Sequence, residues 1–246
     1  MKGVILAGGL GTRLYPLTKV TNKHLLPVFD KPMIYYPLAR LVEAGIRDVL
    51  IVTGGNHAGE FLRLLGNGKE FGLKEIHYTY QTGEGGIADA LRLAENFADG
   101  QKIVVTLGDN IFEASIKKYV DNFTKQKEGA KVLVKQVSDP QRFGVACFKN
   151  EKIISIEEKP KRPKSNYIVT GIYMYDEKVF DFIRKLKKSK RGEYEITDIN
   201  NMYLNKGLMT YDVLKGFWTD CGAFESLLKS NILIAKKSGL NLKKLT

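Results

Sequence analysis

Two cations follow a glycine-rich turn near the start of this chain, and together they suggest where its chemistry lies. A short apolar run, 4–7, reads as a buried strand that empties into a loop carrying Gly8, Gly9 and Gly11. Backbone N–H groups in such a loop approach a phosphate without interference from Cβ atoms. Arg13 and Lys23 then bring positive charge to the same end of the strand. A Gly-rich turn after a first parallel strand is where open α/β sheets bind nucleotides. Two familiar phosphate loops fail here. The P-loop needs Gly-Lys-Ser/Thr where this loop runs Gly11-Thr12-Arg13, and the dinucleotide fingerprint needs a third glycine where Leu14 stands. A turn of this kind is also an ordinary tight turn, so Arg13 and Lys23 are what favour a polyphosphate site.

Other residues have suitable types. Gln81 ends a strand, and its amide matches the donor and acceptor edge of a pyrimidine; Gly86 would let backbone groups approach the same base. A polar strand end with a flexible turn is the equal alternative. Asp109 follows the apolar run 103–107, level with the glycine loop. Mg²⁺ prefers one or two carboxylates plus substrate phosphates, but such an Asp also suits the N-cap of a following helix. Glu158 and Lys159 are adjacent and face opposite ways in an extended segment unless the chain bends there. Gly171 interrupts the β-rich stretch 166–173, as at a bulge or a ligand's close approach, and Thr197 suits the cap of a helix it starts. Cys147 and Cys221 are too few for a disulfide framework, and no histidine accompanies Cys221 as in a catalytic pair. His24, His57 and His77 lack zinc spacing.

Gly8-Gly9-Leu10-Gly11-Thr12-Arg13-Leu14 followed by Lys23-His24-Leu25-Leu26-Pro27 resembles the signature of the sugar-1-phosphate nucleotidyltransferases. The segment from Arg191 to Asn200 resembles the branch of that family that transfers thymidylate to glucose 1-phosphate. The likeness runs from residue 2 to about 235, in family order, and is to the short form without a helical C-terminal extension. It implies an α/β, single-domain Rossmann-like nucleotidyltransferase fold over 1–246, with a mixed, mostly parallel central sheet and helices on both faces. The nucleotide part would lie at about 1–110 and the sugar part at about 111–235.

The implied reaction is dTTP plus α-D-glucose 1-phosphate giving dTDP-glucose and pyrophosphate, by Mg²⁺-assisted in-line attack. The resemblance puts Leu6, Ala7, Gly8, Gly9, Gly11, Thr12 and Arg13 on the nucleotide, and Gln81 and Gly86 on its base. Lys23 would neutralise the leaving pyrophosphate, and Lys159 would orient the attacking phosphate. Asn110, Gly144, Glu158, Val169, Gly171 and Tyr173 would meet the sugar phosphate, with Arg191 at a phosphate-binding position. Asp109 and Asp220 would share the metal ion. Three positions depart from the family pattern: Asp89 where an amide is common, Phe143 where tyrosine is common, and Cys221 in place of threonine. A homo-oligomer is also implied.

Strands and helices must hold these groups. Helices are expected over 33–44, around 61–65, and over 115–127, 178–187 and 223–238; strands over 48–53, 76–80, 131–137 and 153–157. Alternation with short connections argues a sheet covered on both faces. With 246 residues and 43% hydrophobic content the chain can bury a sizeable core. No apolar run approaches the roughly 20 residues that cross a membrane. The start lacks a signal-peptide pattern, so a cytoplasmic protein is expected. The net charge of +12 suits small polyanions or a solvated basic surface, and no module for nucleic acid appears. The remaining alternatives are a transferase using UTP or another nucleotide, and a binder of nucleotide sugars without catalysis.

Overall fold

The computed structural model describes residues 1–241. In the first strand, Val4 and Leu6 are buried on one side and Ile5 and Ala7 on the other, so this strand requires cover on both faces. In chain order the strands are β1 (Lys2–Ala7), β2 (Pro27–Val28), β3 (Lys31–Pro32), β4 (Asp48–Gly54), β5 (Glu75–Gln81), β6 (Ile103–Leu107) and β7 (Asn110–Phe112). They continue with β8 (Ala130–Gln136), β9 (Gly144–Lys149), β10 (Lys152–Glu158), β11 (Tyr167–Tyr175), β12 (Met209–Val213) and β13 (Trp218–Asp220). The α-helices are α1 (Tyr35–Glu43), α2 (Ala58–Leu65), α3 (Ile87–Arg92), α4 (Glu95–Ala98), α5 (Lys117–Lys125), α6 (Val179–Arg184), α7 (Ile196–Asn205) and α8 (Phe224–Lys237).

Parallel strands β6, β1, β4 and β5 carry the first half. β11 then enters antiparallel beside β6, and β8, paired on its far edge, is itself parallel to β12. The sheet is therefore mixed, and strands of both halves share it. Leu38, Leu41, Phe61, Leu65 and Phe123 of α1, α2 and α5 cover the Ile5 side; Leu91, Ile183, Ile199 and Tyr203 of α3, α6 and α7 cover the Val4 side. Among the described residues no helix is long and apolar enough to cross a membrane.

Two local expectations change. Asp109 caps no helix, because the chain turns straight from β6 into β7. Thr197 lies inside the first turn of α7, whose N-cap is Glu195, and its hydroxyl donates to Glu158 Oε2 at 2.6 Å. Competition from that nearby carboxylate gives Thr197 a tertiary partner instead of a capping role. Two pairings decide the site. β13 lies antiparallel to β7 with Asp220 opposite Asn110, and the β11 ladder shifts register between Val169 and Tyr173, around Gly171. A Cβ at Gly171 would come within 2.6 Å of Leu107 Cγ, so only glycine allows β11 to press against the end of β6.

Candidate functional site

Asn22 ties the Lys23 turn to the end of β1. Its Nδ2 donates to the Ala7 carbonyl at 3.3 Å, and its Oδ1 accepts the His24 N–H at 2.9 Å. The resulting 3₁₀ turn, Lys23–Leu25, places the Lys23 ammonium in an ion pair with Asp109, both side chains being about one-seventh exposed. Burial alone would raise the Asp109 carboxyl, but the Lys23 charge holds it well below the usual carboxylate range. Asp109 is therefore ionised at neutral pH.

His24, beside this pair, is buried, with Nδ1 at 2.7 Å from Asn22 Oδ1. Burial first, and then the Lys23 charge, lower its pKa from 6.5 to about 3. A folded value below the unfolded one means that the unfolded chain takes up a proton first as pH falls. The stability contribution is whole above about pH 6.5 and is lost progressively toward about pH 3. His24→Asn is expected to flatten the pH dependence of the urea midpoint between roughly pH 6.5 and 5. An unchanged slope there would assign the acid sensitivity to another group.

Gln81, at the end of β5, reaches the same cavity as Gly8, Gly9 and Lys23. Its Nε2 donates to Asp89 Oδ2 at 2.7 Å and to the Gly86 carbonyl at 3.2 Å. Gly86 sits at φ 93°, and a Cβ there would lie 2.8 Å from the Tyr194 carbonyl oxygen. Glycine is thus required on conformational and steric grounds together. The Leu10 N–H of the glycine loop donates to Glu84 Oε1 at 3.2 Å, so this loop already holds an anionic oxygen.

A second cavity adjoins the first, and Asp109 lines both. Lys159 takes a left-handed φ of 44°, and its N–H donates to the Phe143 carbonyl at 3.0 Å. This bend cancels the alternation of an extended chain, so Glu158 and Lys159 line one cavity together. Thr197 and the Arg191 guanidinium, the latter at 3.3 Å, hold the Glu158 carboxylate. Asp220 lies across the cavity, with Arg142 Nη2 at 3.1 Å from its Oδ2. Burial, then the Asp109 charge, push the Asp220 carboxyl above its ordinary value despite Arg142. Arg13 packs against the backbone after Asp220, where a Cβ on Gly222 would come 2.9 Å from its guanidinium.

A family model for nucleotidyl transferases matches residues 2–237. The chain belongs to the nucleotidyl transferase family. A glucose-1-phosphate thymidylyltransferase of Neisseria meningitidis is 49% identical over 92% of this chain and 80% of its own length. One from Mycolicibacterium smegmatis is 44% identical over 94% of this chain and 81% of its own. A crystal structure of a Bacillus anthracis protein assigned as a glucose-1-phosphate thymidylyltransferase, in complex with sucrose, superposes with a TM-score of 0.91 at 57% identity. That match covers 95% of this chain and 94% of the other. A UDP-glucose pyrophosphorylase with UDP-glucose, 24% identical over 96% of this chain and 98% of its own, shares the fold at a TM-score of 0.84.

Leu6, Gly8, Gly9, Gln81, Gly86 and Asp109 of this nucleotidyl transferase converge on the first cavity with Lys23, as the sequence suggests. Ala7, Gly11 and Thr12 do not line it. The Ala7 and Gly11 carbonyls accept from Asn22 and from Thr18 Oγ1, and Thr12 opens the 3₁₀ turn Thr12–Leu14. Arg13 lines the second cavity, beside Asp220, and not the first. Asn110, Gly144, Glu158, Val169, Gly171 and Tyr173 all line that cavity with Lys159. Two of the expected sugar-phosphate residues also have partners within the protein. Arg191 is held by Glu158, Glu193 and Glu195, at 3.3, 2.9 and 3.6 Å, which satisfies its charge and makes it a brace for Glu158. Asn110 donates to Asp109 Oδ1 at 3.0 Å and accepts from Gly171 N and Trp218 Nε1, so its amide orients Asp109 from within the protein.

Arg142, Asn22 and Trp218 hold or line the site, and pattern reading misses them. The signal for Arg142 is a cation beside Phe143 in the turn before β9, but its partner Asp220 lies far along the chain. The metal expectation is chemically consistent with the site. Asp109 and Asp220 are largely buried carboxylates on one cavity, and a cation would relieve the repulsion that raises Asp220. Among the described residues no cluster of three or more His, Cys, Asp or Glu could hold a metal. Substrate phosphates would complete the shell, as is usual for Mg²⁺.

Proposed function

We propose that the chain transfers thymidylate from dTTP to α-D-glucose 1-phosphate, releasing pyrophosphate and forming dTDP-glucose. The observation that carries this reading is that Asp109 lines two adjoining cavities, with Lys23 on one and Lys159 on the other. The names of the relatives support the choice of substrates.

An oxygen of the sugar phosphate attacks the α-phosphorus of dTTP in line, and pyrophosphate leaves on the opposite side. Two anions must meet, so positioning and charge neutralisation dominate catalysis. Gln81 and the Gly86 backbone hold the base in the first cavity. Lys23 meets the charge that grows on the leaving group, while Lys159 and Arg13 orient the attacking phosphate and Glu158 accepts from sugar hydroxyls. Mg²⁺ held by Asp109 and Asp220 would supply further charge neutralisation when bound. No protein nucleophile is needed, since the attacking phosphate is already an anion; burial pushes the Cys221 thiol up to about 12 and keeps it inert. The anomeric bond stays intact, so configuration at that carbon is retained.

Pyrophosphate release across a grid of nucleoside triphosphates and sugar 1-phosphates tests the proposal. The highest kcat/KM is expected for dTTP with glucose 1-phosphate, and a preference for any other pair overturns the assigned substrates. A homo-oligomer in the cytoplasm belongs to the same reading. Light scattering that gives the monomer mass at micromolar concentration would remove the oligomer.

A further inference from the structure

We infer that Asp89 is a positioning residue that fixes the Gln81 amide with its oxygen toward the base, and so selects thymine and uracil over cytosine. The inference rests on the proposed function, because it assigns Gln81 to the nucleotide base. A glutamine amide can present either its oxygen or its nitrogen to a ligand, and its partners decide which. Here both partners are acceptors: Asp89 Oδ2 at 2.7 Å and the Gly86 carbonyl at 3.2 Å. A carboxylate has no N–H to give, so a rotated amide would set oxygen against oxygen. Arg92 holds the other Asp89 oxygen at 3.1 Å, which keeps the carboxylate in place.

Both Nε2 protons are thereby used. Oε1 is left facing Gly8, where a Cβ would approach it to 3.2 Å, and among the described residues no donor reaches it. Gln81 and Gly8 line the same cavity. An acceptor fixed at that point pairs with the ring N3–H of thymine or uracil. Cytosine carries a lone pair at N3 and would meet Oε1 acceptor to acceptor. Sites with a fixed polar partner discriminate strongly, because the wrong ligand leaves buried groups unpaired. An amide in place of Asp89 offers Gln81 either a donor or an acceptor and removes the nearer of the two acceptors that impose this constraint, leaving only the Gly86 carbonyl.

The test measures dissociation constants of dTTP and dCTP by titration calorimetry, without sugar phosphate, on the wild type, Asp89→Asn, Gln81→Ala and the double variant. The wild type is expected to prefer dTTP, and Asp89→Asn to narrow that preference by about ten-fold or more. In the Gln81→Ala background the Asp89 change is expected to add nothing, since it acts only through that amide. Asp89→Ala should narrow the ratio in the same way, and it serves if Asp89→Asn does not fold. An unchanged ratio, equal losses for both nucleotides, or an Asp89 effect that persists without Gln81 overturns the inference. So does a wild type that binds dTTP and dCTP equally. Selective dTTP binding without turnover of any sugar 1-phosphate would instead defeat the proposed function alone.

Discussion

Asp109→Asn is expected to lower kcat by about 10³-fold or more, the upper range for loss of one preorganised electrostatic group. The carboxylate lines both cavities, is ionised beside Lys23, and is oriented by the Asn110 amide at 3.0 Å. Asparagine keeps its shape and can still accept from Asn110 through Oδ1, but it leaves the nearly enclosed Lys23 without its counter-charge, so the fold should survive with a clear fall in Tm. What the variant loses is one negative oxygen where the two cavities adjoin. Excess EDTA is expected to stop the wild type reversibly, with Mg²⁺ restoring activity. Full activity in excess EDTA would sink the metal assignment, and wild-type kcat in Asp109→Asn would remove the residue from the centre of the reaction.

The second large effect separates the two lysines. Lys23 is nearly enclosed in the first cavity, while Lys159 is about half exposed in the second. In the proposed reaction Lys23 would face charge that grows as the bond to pyrophosphate breaks, so Lys23→Ala should mainly lower kcat. Lys159 would meet a phosphate whose charge is present before reaction, so Lys159→Ala should mainly raise the KM for glucose 1-phosphate. Each loses one charge-assisted contact of about 1.5–3 kcal/mol, roughly 10- to 150-fold. Lys23→Ala also leaves the buried Asp109 carboxylate without its main counter-charge, which places its total effect at the upper end. Steady-state kinetics with each substrate varied in turn make the comparison. Swapped phenotypes would put the two substrates on the wrong sides of the site, and unchanged kinetics in both would remove the lysines from it.

Most of the architecture around these groups is legible along the chain. Val4 to Ala7 are apolar without alternation, and that run alone requires a strand covered on both faces. Gly45 and Gly66, both at positive φ, end α1 and α2 where a glycine stop is expected. The family motifs are local too: the glycine loop, the Lys23 turn, and Gln81 followed by Gly86 each need only a few consecutive residues to take shape.

Relations between distant residues were decided by the tertiary structure. Which cavity Arg13 enters depends on the Asp220–Gly222 segment, about two hundred residues away, and no local propensity encodes that approach. Arg191 has the type of a phosphate ligand; Glu193 and Glu195 stand near it in the sequence, and only the fold adds the Glu158 carboxylate. Glu158 and Lys159 should face opposite ways by strand geometry, and only the left-handed backbone at Lys159 turns both into one cavity. Asp109 and Asp220 become neighbours through the β7–β13 register. Strand and helix periodicities, the glycine loop and the family are legible along the chain, because each is written within a turn or a strand. Charge pairing, carboxylate proximity and the division into two cavities required the folded sheet, because they depend on distances between segments that only its register sets.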